Sequence, residues 1–251
     1  MAKRSRTRRF LFGSSFALAA LIILFGAQVL IAVRGPGLPS SQAFDLRKPS
    51  DSPDAKRVVW LGDSTAAGVG ASGESSTVPI RVAEQNTRPV DLHVLAVSGA
   101  RIADVEQHQL PAVADLQPDV VYISIGANDT TGRTSRSAFR SNYERVLAGL
   151  PEQAEVVLLG VPDMGSPPRI PQPLRAIVGK RGQQLDGIVA DIAREMGATY
   201  VDIAGFTGAK FRDHPSRYFA GDKFHPSDDG YKLWADAVTE TTNKEEARNG
   251  K

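Results

Sequence analysis

The chain reads as an α/β protein: one doubly wound domain with a parallel sheet and helices on both faces, behind an N-terminal transmembrane helix. Three observations predict this. Beyond residue 56, strand-like apolar runs alternate with helix-like stretches. Several runs are apolar almost throughout, as in Val120-Val121-Tyr122-Ile123-Ser124-Ile125, the pattern of strands covered on both faces. With 251 residues and 41% apolar content, the chain can bury one medium core.

The strand-like runs fall at 57–61, 90–97, 119–125, 155–160 and 199–203. Helix-like stretches lie near 76–86, 101–116, 136–149, 174–197 and 227–242. Five such β/α units predict a five-stranded parallel sheet of the flavodoxin-like kind, whose ligands bind beyond the carboxyl ends of the strands. Val161 to Pro173 holds five prolines and predicts a stiff surface loop near that edge. Residues 243–251 read as a frayed polar tail.

The N-terminus has its own logic. Residues 1–9 form a basic tail, and no residue from Phe10 to Val33 is charged. That stretch of about 24 residues would span roughly 36 Å as a helix, enough to cross a bilayer with some tilt. Five positive charges precede it and only Arg34 follows closely, so the charge bias leaves the N-terminus in the cytoplasm and the rest outside. Secretion after signal cleavage near Ser41-Gln42-Ala43 is the alternative, but the apolar run is longer than a signal core. Residues 34–56, with Pro36, Pro39, Pro49 and Pro53, read as a tether.

Charge and cysteine content exclude several functions. The net charge is +2, and six basic residues lie in the first 34 positions, which hold no acid; removing those six leaves −4 for the remainder. A mildly acidic body without a basic stripe does not point to nucleic acid. Zero cysteines excludes disulfides, thiolate chemistry and Cys-based zinc sites. No clustered metal-ligand motif appears. Gly68-Val69-Gly70-Ala71-Ser72-Gly73 matches a dinucleotide fingerprint but starts too far beyond its strand, so no cofactor is expected.

The residues able to do chemistry fall at strand ends. Gly62-Asp63-Ser64 follows the first strand, Ser98-Gly99 the second, and Gly126-Ala127-Asn128-Asp129 the third; Asp222 and His225 precede the last helix. Taken alone, Asp63 or Ser64 would cap a helix, Gly99 would serve a turn, and Asn128-Asp129 would hold their own backbone. Together they supply a hydroxyl, an imidazole and a carboxylate, the parts of an activated serine nucleophile.

In this combination and order, over roughly residues 57–242, the chain resembles the SGNH hydrolases, also called GDSL esterases and lipases. Two positions depart from the pattern. Thr65 stands where many members have Leu, and the segment ahead of Gly99 lacks an Asn. The resemblance implies Ser64 as nucleophile, His225 as base and Asp222 as its orienter. It assigns the oxyanion hole to the Ser64 and Gly99 amides and the Asn128 side chain. Among four histidines, His93 falls in a strand pattern and His108 in a helical one. His214 competes through Asp213-His214-Pro215-Ser216, but His225 has the matching Asp222 spacing.

The expected activity is hydrolysis of acetyl or longer O-acyl esters, on envelope lipids or acylated glycans given the outward topology. Transfer of the acyl group to a sugar hydroxyl would use the same acyl-enzyme, and a non-catalytic binding domain would keep only the fold.

Overall fold

The computed structural model describes residues 23–24, 26–28, 44, 46–248 and 250. Six strands form one sheet, in the order β1-β3-β2-β4-β5-β6. They are β1 (Arg47–Lys48), β2 (Lys56–Gly62), β3 (Val90–Val94), β4 (Val120–Ser124), β5 (Glu155–Leu159) and β6 (Thr199–Val201). β2 to β6 pair in parallel, and their order along the sheet is the flavodoxin-like one expected.

The expected count of five strands is corrected to six, and the sheet is mixed. β1 comes from the predicted tether and pairs antiparallel with β3, setting Arg47 opposite His93 and Lys48 opposite Leu92. The neighbouring Leu46 is fully buried, and its carbonyl accepts the Val94 N–H at 3.2 Å. Burial of one leucine, typically about 2 kcal/mol, pins a segment whose own residues have no strand preference.

Within β2 the side chains alternate between two cores. Val58 and Trp60 enter one, Val59 and Leu61 the other. The Trp60 ring stacks on Tyr122 of β4, with centroids 4.4 Å apart and planes 7° from parallel. The first face is covered by α1 (Val78–Glu84), with α5 (Ile203–Asp213) and α7 (Asp228–Arg248) beside it. On the second face lie α3 (Arg136–Ala148) and α4 (Leu174–Met196), with a broken helical run over residues 102–116. Two short helices, α2 (Ala127–Thr131) and α6 (Pro215–Tyr218), flank the carboxyl edge.

α7 continues to Arg248, through most of the tail expected to fray. Lys244 pairs with Glu240 and Arg248 with Glu245 along it, each worth a few tenths of a kcal/mol. The Pro-rich loop is more buried than expected: Val161, Met164, Ser166, Pro167 and Ile170 are all largely buried. It packs on α4 where Gly179 and Gly182 face it, and a Cβ on Gly179 would sit 2.8 Å from the Gly165 Cα.

Most of the stretch expected to cross the membrane lies outside the described residues. Of it, Ile23 and Leu24 are exposed, and Gln28 is buried. The Gln28 side chain donates to the Gln172 carbonyl at 2.7 Å and accepts from the Leu174 N–H at 3.4 Å. Among the described residues, no helix is long and apolar enough to cross a membrane.

Candidate active site

The site is built outward from the end of β2. Gly62 has φ +150°, and a Cβ there would collide with the Ser124 carbonyl of β4. Only glycine lets the chain pass this close and turn, which brings the Asp63 N–H to that same carbonyl at 3.1 Å. Gln109 clamps the turn from below. Its side chain accepts the Gly62 N–H and donates to the Gly62 carbonyl, both at 2.8 Å. Gln109 is buried within a π-helical turn, Val105–Gln109, and no sequence signal distinguished it from other polar helix residues.

Asp63 is fully buried beneath Ser64. Its Oδ1 accepts from the Thr65 N–H at 2.9 Å and the Thr65 hydroxyl at 2.8 Å. That hydroxyl also lies 3.1 Å from Ser124 Oγ, so the residue departing from the family pattern ties three side chains together. Burial pushes the Asp63 carboxyl up to about 6, against the Thr65 hydrogen bonds and the His225 charge, which lower it.

Asp222 and His225 sit on a turn closed by the Phe219↔Pro226 bridge. Asp222 Oδ1 accepts the Phe224 and His225 N–H groups, both at 3.0 Å, the side-chain-to-backbone turn typical of Asp. Its Oδ2 lies 2.6 Å from His225 Nδ1. Burial works to raise the Asp222 carboxyl, but the His225 ring and the two amides outweigh it and hold the group below its ordinary range. With Nδ1 facing a carboxylate, the ring proton belongs there and Nε2 is the acceptor. Nε2 lies 2.9 Å from Ser64 Oγ, within reach of its proton. Phe224 packs against the imidazole, edge to face, with centroids 5.2 Å apart.

Gly99 and Asn128 meet at the same edge. Gly99 has φ +86°, and neither its N–H nor that of Ser64 has a partner among the described residues. Asn128 donates one amide hydrogen to the Ala100 carbonyl at 3.0 Å, which orients the group and leaves its second hydrogen available. Asp129 anchors the opposing segments, its Oδ2 accepting the Ile102 N–H at 3.0 Å. Ser64 follows β2 and Asn128 follows β4, the neighbouring strands between which the chain order reverses. That is where such sheets bind ligands.

A cleft of about 870 Å³ opens over these groups. Ser64, Gly99, Asn128 and His225 line its floor, and Ile170, Leu174, Ile177, Val178 and Phe224 give it an apolar wall. Ser98, Thr130 and Thr131, with Arg133, Arg169 and Arg181, complete the lining. A hollow of about 40 Å³, lined by Met164, Phe211, Phe219 and Trp234 among others, touches Ser64 from the other side.

Every sequence-predicted site residue therefore converges here, and the other histidines do not. His93 is on β3, with Nε2 3.2 Å from Asp91 Oδ1. His108 and His214 are exposed. The glycine-rich run packs under the base's turn instead of opening a helix: a Cβ on Gly70 would lie 3.0 Å from His225 Cβ, and Tyr231 donates to the Val69 carbonyl at 2.6 Å.

A serine, histidine and aspartate in hydrogen-bonded series at the carboxyl edge of a doubly wound sheet make the arrangement of a serine hydrolase. The chain belongs to the GDSL-like lipase/acylhydrolase family, whose model matches residues 60–233. It is 32% identical over 187 residues to a GDSL-like esterase of Mycobacterium tuberculosis, a match covering 72% of this chain and 60% of that protein. The chain thus spans less than two thirds of that relative. Among solved structures it is similar to a lipase/acylhydrolase from Enterococcus faecalis, at 22% identity and TM-score 0.61, covering 74% of this chain and 94% of that one. It is also similar to an acetylxylan esterase from Geobacillus stearothermophilus, at 20% identity and TM-score 0.58, covering 75% and 94%. At such identities the structural likeness shows the fold.

Proposed function

We propose that this protein hydrolyses O-acyl esters through an acyl-serine intermediate on Ser64. The carrying observation is the continuous series from Asp222 Oδ2 to His225 Nδ1 at 2.6 Å and from His225 Nε2 to Ser64 Oγ at 2.9 Å, at the floor of the large cleft. His225 takes the Ser64 proton as Oγ attacks the acyl carbon. Asp222 holds the ring's tautomer and stabilises the imidazolium. The carbonyl oxygen, now negative, receives hydrogen bonds from the Ser64 and Gly99 amides and the free Asn128 N–H. His225 then protonates the departing alcohol, and water, activated by the same imidazole, releases the acid.

The catalytic body acts outside the cytoplasm, held to the membrane by residues 10–33, on acyl esters of envelope lipids or glycans. Support for this comes from the uncharged stretch and the five positive charges ahead of it. A serine-reactive phosphonate tests the chemistry: it should label the protein at Ser64, and Ser64→Ala should abolish labelling and ester turnover together. Turnover surviving in that variant would remove Ser64 as nucleophile. Protease added to intact cells should degrade the domain, whereas full protection beside a cleaved surface control would remove the outward topology.

A further inference from the structure

The lining of the large cleft is chemically one-sided. Its charged side chains, Arg133, Arg169 and Arg181, are all positive, and no aspartate or glutamate lines it among the described residues. Elsewhere four arginines meet carboxylates, Arg145 with Glu106, Arg140 with Glu195, Arg212 with Asp163 and Arg217 with Asp229, while Arg81, Arg88 and Arg175 bond backbone carbonyls outside the cleft lining. Arg181, within the lining, is of the second kind. Its Nε donates to the Thr130 carbonyl at 3.0 Å and a terminal nitrogen donates to the Thr134 carbonyl, so neutral acceptors hold the guanidinium and leave its charge uncompensated.

Arg133 adds an independent observation. It is exposed and sits just past the end of α2 at φ 59°, in the left-handed region that side-chain-bearing residues avoid and glycine accepts. A position suited to glycine instead carries a long cation on the cleft wall. Concave sites lined by one sign of charge concentrate ligands of the other sign. In the same lining, Ile170, Leu174 and the exposed Ile177 add a surface suited to an apolar chain.

Building on the esterase reading above, we infer that the substrate is an anionic amphiphile: an acyl ester whose chain lies along the Ile170–Ile177 wall and whose phosphate or carboxylate group faces Arg133 and Arg181. The arginines bind and orient that group, setting the ester carbonyl over Ser64. They take no part in bond making.

Three soluble esters of one acyl chain test the idea: 1-acylglycerol, 1-acylglycerol 3-phosphate, and the acyl ester of a hydroxy acid, each kept monomeric. The full chain should turn over at least one anionic ester with kcat/KM about ten-fold above the neutral one, and added salt should shrink that ratio. Preference for the phosphate or for the carboxylate identifies the source of the charge. Arg133→Gly should lower the anionic-to-neutral ratio about five-fold, chiefly through KM, while melting no lower than the parent. Arg133→Gln should lower the ratio similarly.

Equal turnover of all three esters by the parent would overturn the inference and leave the esterase reading standing. So would variants that lose rate equally on charged and neutral esters, or better turnover of acetylated neutral sugars than of any amphiphile. No turnover of any ester, with Ser64 unlabelled by phosphonate, would overturn both.

Discussion

Gln109 holds both the N–H and the carbonyl of Gly62, at 2.8 Å each, two residues before Ser64. The nucleophile's strand is thus fixed at its last residue by a side chain from the opposite core. Gln109→Leu would leave the Gly62 N–H buried and unpaired, a loss of about 1–3 kcal/mol. At a temperature where the variant stays folded by circular dichroism, kcat should drop at least ten-fold, with KM within two-fold. Unchanged kcat would reduce Gln109 to a packing role.

Asn128→Ala removes one of three donors aimed at the developing oxyanion, and turnover should fall about 100- to 1,000-fold. The loss of its bond to the Ala100 carbonyl should lower the melting temperature only slightly. Steady-state kinetics on a simple nitrophenyl ester provides the check. Full activity would transfer the oxyanion role to other groups.

The carboxyl of Asp63 stands at about 6 when folded, against 3.8 ordinarily. The folded state holds this proton more tightly, so the stability it contributes is complete below about pH 3.8 and is lost as pH rises through 6. A shift of this size corresponds to about 3 kcal/mol. Asp222 works in the opposite sense, since its lowered carboxyl stabilises the fold above about pH 3.8 and ceases to do so on further acidification. Urea unfolding of the parent and Asp63→Asn between pH 4 and 7 separates the two. The parent should lose about 2.4 kcal/mol more than the variant across that window, and parallel profiles would contradict the burial argument.

His214→Ala should keep at least half of the activity, because its exposed ring lies outside the cleft. His225→Ala should lose about 1,000-fold by comparison. Similar losses in the two variants would mean that the base has been misassigned.

What the sequence disclosed and what it concealed follow from range. Val120–Ser124 is legible because continuous apolar residues need two covered faces, whatever their partners. Ser64, Asp222 and His225 are legible because their chemistry is scarce and their turns lie at run ends. β1 is illegible because Arg47 and Lys48 have no strand preference, and only their pairing with Leu92 and His93 makes them a strand. α5 hides behind two glycines, although Asp202 caps it by accepting the Gly205 N–H at 2.7 Å. Gln109 acts through a contact 47 residues away, which no local pattern encodes.

The pairing of Gly62 with Ser124 has one further consequence. It spaces the elements bearing Ser64 and Asn128 by the pitch of a sheet, about 4.8 Å, so these two report the most durable part of the molecule. The base hangs on a turn outside the sheet, held by one isolated bridge, Phe219↔Pro226, a few amide bonds and its packing on the glycine-rich run. Warming should therefore disarm the enzyme before it melts: phosphonate labelling should fade below the cooperative unfolding transition and return on cooling. Loss of labelling only at that transition would show that the turn and the sheet yield as one. A machine divided in this way has a frame that outlives its trigger, and the frame is the template on which the trigger resets.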